Sequence, residues 1–175
     1  NIPALEESLQ EIVRRHAVLR TRIVGQDGEA MQEIAANVGP ELPLIDLSRL
    51  STKEREAAVM RLAEEETERR FDLSRLPLWR TRLLRLAEDE HVILLTIHHI
   101  ISDGWSVGLL FKELGALYYA FSRGQASPLR DLPIQFADFA RWQRDEHSRD
   151  DLEAQLAYWK DRLEGMPLDP ALPVD

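Results

Sequence analysis

The start of the chain changes from a helical to a strand pattern. Four apolar residues spaced to share one helix face come first: Leu5, Leu9, Ile12 and Val13. Pro3 suits the first turn of such a helix, which we predict to end near His16. Polar and apolar residues then alternate over residues 19–24, and an Asp-Gly pair follows. We therefore predict a strand and a hairpin whose second strand covers about residues 31–34.

The middle of the chain predicts a helix followed by a strand hairpin. Ser51 and Glu54 form a capping-box pattern ahead of a run rich in Ala, Glu, Arg and Leu, which predicts a helix to about Arg70. Residues 79–87 and 91–100 have strand character and are joined by acidic residues, so we predict that they pair antiparallel. The second strand is almost continuously apolar, as is typical of a central strand covered on both faces.

Helical spacing returns after Asp103 and Gly104, and Gly124 is a natural end for this helix. Its apolar face consists of Leu110, Leu114, Leu117 and Phe121. Two shorter helices follow, with apolar residues at Phe136, Phe139 and Trp142 and at Leu152, Leu156, Trp159 and Leu163. Prolines then make residues 166–175 a linker.

Composition places the chain among globular proteins. Its 175 residues favour one compact unit, and 44% hydrophobic with 30% charged residues predict a packed core. The net charge of −9 disfavours nucleic acid and an anionic membrane surface as partners. Without cysteine, disulfides and thiolate zinc sites are excluded. No apolar run reaches the roughly 20 residues that span a bilayer, so we expect a cytoplasmic protein. Because the chain starts without Met, we also expect an excerpt of a larger one.

The distinctive segment covers residues 97–106, where an apolar strand turns into a helix. His98 and His99 end the strand, and successive strand side chains point to opposite faces. One histidine should therefore be structural and the other functional. Zinc needs three or four converging ligands, whereas this pair diverges and no HExxH motif occurs, so a metal site is disfavoured.

Two questions about this segment stay open at the level of the residues. Both histidines could be core or rim residues without chemistry, although a strand-to-helix junction is a common ligand site in α/β proteins. Asp103 could take part in proton transfer, or an arginine could hold it to brace the turn. We favour the brace, because a buried carboxylate must be paired. Neither a serine-hydrolase elbow nor a dinucleotide or P-loop motif occurs.

Four sequence motifs occur in an order that is specific to one family. Residues 98–104 match the pattern HHxxxDG, and residues 15–21 look like an upstream RHxxLRT motif. Residues 71–80 resemble the next segment, and residues 138–143 are similar to a later DFAxWQ motif. With these motifs the chain resembles the condensation domains of nonribosomal peptide synthetases, within the chloramphenicol-acetyltransferase-like superfamily. The Asp-Gly-Trp-Ser ending of HHxxxDG looks most like the members that join two L-configured residues.

The resemblance implies an α/β fold, an α+β sandwich in which helices cover a mixed sheet. This chloramphenicol-acetyltransferase-like lobe is half of a two-lobe pseudo-dimer with the active site in a tunnel between the lobes. Residues 1–165 would be the N-terminal lobe without its first strand, and residues 166–175 a linker toward the absent second lobe. We therefore expect the isolated chain to be inactive.

The resemblance also implies roles for individual residues. His99 would be the catalytic imidazole, and His98 would face the interior and hold the strand. Asp103 would be structural, paired with Arg20 or Arg15.

Three residues after this aspartate are implied to face substrate. Gly104 would leave room for substrate to approach the turn, and Trp105 and Ser106 would line the tunnel.

The implied reaction is peptide-bond formation in secondary metabolism, such as antibiotic biosynthesis. A donor acyl or peptidyl thioester and an acceptor aminoacyl thioester arrive on phosphopantetheine arms of carrier proteins, and no cofactor is bound directly. The implied partners are the donor and acceptor peptidyl carrier proteins, the second lobe and an adenylation domain. The alternatives are a non-catalytic carrier-docking lobe, or an epimerization or CoA-dependent acyltransferase relative.

Overall fold

Helices and strands both build the chain, in a mixed order. The computed structural model describes residues 1–26, 28–146 and 149–167. The helices are α1 (Ile2–Arg15), α2 (Thr52–Glu68), α3 (Gly104–Phe121), α4 (Phe136–Glu146) and α5 (Arg149–Leu163). The strands are β1 (Thr21–Gln26), β2 (Glu29–Ile34), β3 (Leu44–Asp46), β4 (Trp79–Arg85) and β5 (His91–Ile97). The α/β class predicted from the sequence is confirmed.

Helix α1 forms where the apolar spacing predicts it. Asn1 caps the first turn by accepting a hydrogen bond from the backbone N–H of Ala4 at 3.2 Å. Leu9, Ile12 and Val13 are each 2% exposed, so the predicted face is the buried one. The helix ends one residue before His16, whose N–H still donates to the carbonyl of Ile12.

The predicted hairpin after α1 is confirmed, with its first strand starting later than expected. A short 3-10 helix, Ala17–Arg20, follows α1 and delays the strand to Thr21. Strands β1 and β2 pair antiparallel, from Thr21 opposite Ile34 to Gln26 opposite Glu29. The turn between them includes Gly28 at φ +84°, in the left-handed region that glycine favours.

The hairpin of β4 and β5 is confirmed, but β5 is not a central strand. The sheet order is β3-β4-β5, so β4 is central and β5 lies at an edge of this sheet. Its continuous apolar character has another cause. Alternate residues pack into two different cores, Ile93 and Leu95 into one and Val92 and Leu94 into the other. The apolar run therefore indicates that both faces of β5 are covered. It does not indicate whether other strands pair with β5 along both of its edges.

Strand β3 was missed by the sequence reasoning. It has three residues and pairs parallel to β4, with Leu44 opposite Leu83. A strand this short carries too few positions for an alternating pattern to be recognised.

Helix α2 begins as its capping box predicts. The backbone N–H of Ser51 donates to the Glu54 carboxylate at 3.0 Å. Leu62 of this helix packs with Leu47 and Leu84 in the smaller core. The larger core lies between α1, α3 and the sheet, and Leu117 of α3 is fully buried there.

The chain divides into two compact units, Asn1–Ala137 and Asp138–Asp175. In the second unit, α5 forms as predicted, and its four predicted apolar residues are each about half-exposed: Leu152, Leu156, Trp159 and Leu163. Residues 168–175 of the predicted linker lie outside the described residues, and the lobe and linker boundaries stay predictions. None of the described helices combines the length and the apolar character needed to cross a bilayer.

Candidate active site

A tight turn connects β5 to α3 and carries the histidine pair. The backbone N–H of His98 donates to the carbonyl of Leu78 at 2.9 Å, which continues the pairing to β4 by one residue. The N–H of Ile101 then donates to the carbonyl of His98 at 3.1 Å, and that of Ile100 donates to His98 Nδ1 at 3.0 Å. His98 thus closes the turn with both its backbone and its ring, which ends the strand at Ile97 instead of at the predicted residue 100.

The two histidines have different surroundings. His98 is half-buried, and its ring meets the ring of Phe71 edge-on, with centroids 5.8 Å apart and planes at 89°. The guanidinium of Arg80 lies over the same Phe71 ring, 3.8 Å from its centroid. His99 is exposed. This arrangement agrees with the expectation of one inward and one outward histidine, while the catalytic role of His99 stays a proposal.

Asp103 caps α3. Its carboxylate accepts hydrogen bonds from the backbone N–H and the hydroxyl of Ser106, which hold the pKa of Asp103 below its ordinary value. The expected pairing with Arg20 or Arg15 is wrong. Asp103 is exposed, so solvent and the helix N-terminus stabilise its charge. The prediction assumed a buried carboxylate, which would have needed a charged partner.

The two arginines bind elsewhere. Arg20 donates to the carbonyls of Val13 and Ala35, at 3.0 and 2.5 Å, and so ties β1 and β2 back to α1. Arg15 is buried, donates to the carbonyl of Arg130 at 2.7 Å and makes a two-point contact with the Glu113 carboxylate at 3.3 Å.

Glu113 joins α3 to the end of α1. It is a charged residue in the middle of the buried face of α3, and its carboxylate also lies 2.8 Å from Nε2 of His16. Burial alone would raise the pKa of Glu113, but its hydrogen bonds with Arg15 and His16 lower it below its ordinary value. Glu113 is therefore ionised at neutral pH.

A cavity of about 340 Å³ opens between this junction and the turn. His99, Asp103, Trp105 and Ser106 line it together with His16 and apolar residues that include Leu19, Ile101, Leu110 and Phe136. Trp105 is 83% exposed, so it lies at the opening. Gly104 is not in the lining, and a Cβ there would meet nothing within 4 Å, so space for a side chain is free at this position.

The structure thus brings four predicted site residues together along the cavity and leaves the two predicted arginines outside its lining. Arg15 reaches the cavity only through Glu113 and His16, and Arg20 does not line it. Sequence reasoning missed His16, Glu113 and Phe136 as neighbours of the site. Glu113 could have been noticed in the sequence, because it is an acidic residue that directly precedes Leu114 of the apolar face of α3.

The site contains no preformed metal centre in the part of the chain that the structure describes. No group of three or more His, Asp or Glu side chains is arranged there to hold a metal ion. The polar side chains that line the cavity are two histidines, one aspartate, one tryptophan and two serines. Of the two serine hydroxyls, the one of Ser106 already donates to the Asp103 carboxylate. Such a set can both accept and donate hydrogen bonds.

Comparison with known proteins places the chain in a family. A family model described as "Condensation domain" matches residues 1–175. A linear gramicidin synthase from Brevibacillus parabrevis is 48% identical over 175 residues, which are all of this chain and 3% of that protein. The crystal structure of the X-domain from teicoplanin biosynthesis aligns with a TM-score of 0.83 and 33% identity, over 100% of this chain and 38% of the other.

A second solved structure carries the family name in its description. It concerns condensation domain-mediated chain release from the enacyloxin polyketide synthase, and aligns with a TM-score of 0.75 and 28% identity, over 94% of this chain and 31% of the other. The predicted chloramphenicol-acetyltransferase-like fold is confirmed by these likenesses. The chain therefore belongs to the condensation domain family, and it spans only part of the length of the proteins that it matches.

Proposed function

We propose that this chain supplies the His99 half of a condensation active site that joins two carrier-bound substrates through an amide bond. The α-amine of an acceptor aminoacyl thioester attacks the carbonyl carbon of a donor acyl or peptidyl thioester. A C–N bond forms, the C–S bond breaks, and the thiol of the donor arm leaves with one proton from the amine. The Asp-Gly-Trp-Ser sequence favours the type that joins two L-configured residues.

One observation carries this proposal: His99 is exposed and lines a cavity directly beside the capped start of α3. Its neighbour His98 is held by Leu78, Ile100 and Phe71, so the turn that presents His99 is fixed before any substrate binds. Preorganised donors and acceptors of this kind lower a barrier without a reorganisation cost at the moment of reaction.

The small free-energy cost of deprotonating the amine favours positioning over deprotonation as the role of His99. An α-amine with a pKa of about 7.7–8.0 is already roughly one-tenth neutral at pH 7, so releasing the free amine costs only about 1–1.4 kcal/mol. General-base catalysis typically contributes about 10²–10⁴-fold. We propose that His99 orients the amine and stabilises the tetrahedral intermediate, which includes taking up the proton that the attacking nitrogen loses.

The proposal includes the partners that the reaction requires. Donor and acceptor peptidyl carrier proteins present their substrates on phosphopantetheine arms, an adenylation domain loads the acceptor, and a second lobe closes the cavity into a tunnel. The isolated chain would then be inactive, because it forms one wall of the site. We place the whole assembly in the cytoplasm.

The test uses the intact two-lobe condensation domain with its loaded carrier proteins. We expect His99→Ala to reduce amide formation by up to about 10⁴-fold while carrier binding persists. His91→Gln, at the opposite end of β5 and outside the cavity, is the matched control and should stay active. A loss far above 10⁴-fold at every pH would contradict the positioning role.

The rival functions give different results in the same assay. A carrier-docking lobe would bind both carriers while the unaltered enzyme forms no amide. An epimerization domain would invert the α-carbon of a bound residue without joining two of them, and a CoA-dependent acyltransferase would accept an acyl group from CoA.

A further inference from the structure

A second imidazole lines the same cavity as His99. His16 follows the last turn of α1, and its side chain is 19% exposed. Its Nε2 lies 2.8 Å from Oε2 of Glu113. Because the ionised Glu113 carboxylate can only accept a hydrogen bond, Nε2 of His16 must donate and therefore carries a proton. The neutral ring then has its lone pair on Nδ1.

Nδ1 of His16 is the nitrogen that remains available. Among the described residues, no group makes a hydrogen bond to this nitrogen. It is also not buried, so solvent reaches it. A carboxylate that fixes one ring nitrogen of a histidine, so that the other can accept a proton or a hydrogen bond, is the arrangement that orients imidazoles in acyl-transfer enzymes. The wall of the cavity thus contains an acceptor with a fixed direction.

The backbone on both sides of His16 is also fixed. The side-chain amide of Gln135 donates to the carbonyl of Arg15 and accepts from the N–H of Ala17, both at 2.9 Å. Arg15 in turn holds Glu113 from behind. These contacts hold the ring in place before a ligand arrives, which lowers the entropy cost of binding to it.

We propose that His16 contacts the substrate, with Nδ1 accepting a hydrogen bond from the attacking α-amino group of the acceptor. Glu113 is then a positioning residue that acts through His16. This inference rests on the proposed function, which supplies the amine. The charged and titratable groups around His16 are Glu113, which contacts its ring, Arg15, which contacts Glu113, and His99 and Asp103, which line the same cavity. The exposed Asp103 carboxylate also favours an amine or ammonium over an anion in this space.

Two substitutions separate substrate contact from a structural role. Gln places its amide nitrogen where Nε2 of histidine stands, so His16→Gln keeps a donor to Glu113 and loses the acceptor at Nδ1. Asn places its amide oxygen near the position of Nδ1, so His16→Asn keeps the acceptor and loses the bond to Glu113. Each variant therefore removes the function of one ring nitrogen and keeps that of the other.

The experiment measures both variants in the intact condensation domain, with the acceptor carrier loaded by its own adenylation domain. We expect His16→Gln to keep the unfolding midpoint and to lose about 3- to 10-fold in kcat/KM for the acceptor, the range of one hydrogen bond between neutral groups. The KM of the donor should not change. We expect His16→Asn to lose stability and to keep more activity than His16→Gln.

A measurement on the unaltered domain covers the case in which both variants unfold. With ¹⁵N-labelled imidazoles, the Nδ1 resonance of His16 should shift when the aminoacyl carrier binds, and should stay in place with a carrier that bears the corresponding acyl group without the amine. Equal shifts with both carriers, or full acceptor kcat/KM in His16→Gln, would overturn the inference. The same series tests the proposed function separately. Loss of activity in His99→Ala supports the proposed function even if the inference about His16 fails. An unaltered domain that forms no amide would contradict the proposed function itself.

Discussion

Asp103 accepts two hydrogen bonds from Ser106, at 2.8 Å from the backbone N–H and at 2.5 Å from the hydroxyl. The aspartate of the HHxxxDG pattern is therefore the N-cap of α3. The cap fixes the first turn of this helix only four residues after His99, so the position of the imidazole depends on a local contact and needs no arginine from another part of the chain.

This finding predicts the outcome of two double-mutant cycles. Asp103→Ala removes both hydrogen bonds, and Ser106→Ala removes the one from the hydroxyl. Because this bond is lost in both variants, their effects on the free energy of unfolding should be non-additive. Asp103→Ala and Arg20→Ala should be additive, because Arg20 binds the carbonyls of Val13 and Ala35. Urea unfolding of the intact domain measures both cycles. Asp103→Asn is the control, since Asn is also a good N-cap and should keep most of the stability.

A second prediction concerns a buried carboxylate on α2. Glu66 is 2% exposed and binds Arg69, Arg80 and Arg82. Glu66→Gln leaves three guanidinium groups without their counter-charge, and we expect it to lower the free energy of unfolding by about 3 kcal/mol.

Glu65 offers the matched control for this prediction. It precedes Glu66, and its exposed carboxylate pairs with Arg61 one helical turn away. Glu65→Gln should therefore change the free energy of unfolding by less than about 0.5 kcal/mol. Equal effects of the two substitutions would show that the ion pairs of Glu66 with Arg69, Arg80 and Arg82 contribute no more to stability than an exposed ion pair.

Acid should destabilise the fold through the same residue. Burial alone would raise the pKa of Glu66, but the hydrogen bond and charge of Arg80, with the charges of Arg82 and Arg69, lower it. The unfolded chain thus binds a proton at a higher pH than the folded one. The stabilisation is complete above the unfolded pKa of about 4.3 and is lost as the pH falls through the lower folded pKa. Unfolding free energies measured from pH 7 to 3 should fall less steeply for Glu66→Gln, and an unchanged slope would contradict the assignment.

A fourth prediction concerns the ring beneath the histidine turn. Phe71 contacts both the Arg80 guanidinium and the edge of His98. Phe71→Leu should cost about 1 kcal/mol of stability, the typical value of such ring contacts. It should also lower kcat by about tenfold, because the turn that presents His99 loses its support.

Phe111 on α3 is the control for the Phe71 substitution. It is half-exposed, and it is not part of the cavity that holds His99. Phe111→Leu should change stability by no more than about 0.5 kcal/mol and leave kcat as it is. If Phe71→Leu behaves in the same way, the support of His98 by Phe71 is not important for the reaction.

Local patterns were enough to predict most elements of the fold. The apolar spacing of α1 and α3, the capping box at Ser51 and the hairpin of β4 and β5 all depend on residues close in sequence. Strand β3 and the edge position of β5 depend on pairing between distant segments, which periodicity does not report. Strand geometry predicted that the two neighbouring histidines point to opposite faces, and the family resemblance indicated that His99 is the outward one.

The electrostatic partners at the site could not be predicted in the same way. Arg15 and Glu113 are 98 positions apart, and His16 and Glu113 are 97 apart. Many acids and arginines in this chain could have paired, and only the packing of α1 on α3 selects among them. The expected arginine partner of Asp103 was wrong for a related reason: the prediction assumed a buried carboxylate, and exposure cannot be inferred from one residue in a motif.

The bonds that close the histidine turn also bear on redesign of the cavity. They use the backbone N–H groups of Ile100 and Ile101 together with the carbonyl and ring of His98. The side chain of Ile100 takes part in none of them, is 42% exposed and lines the cavity. Libraries that vary position 100 can therefore change the shape and polarity of the cavity while the loop that displays the imidazole keeps its shape.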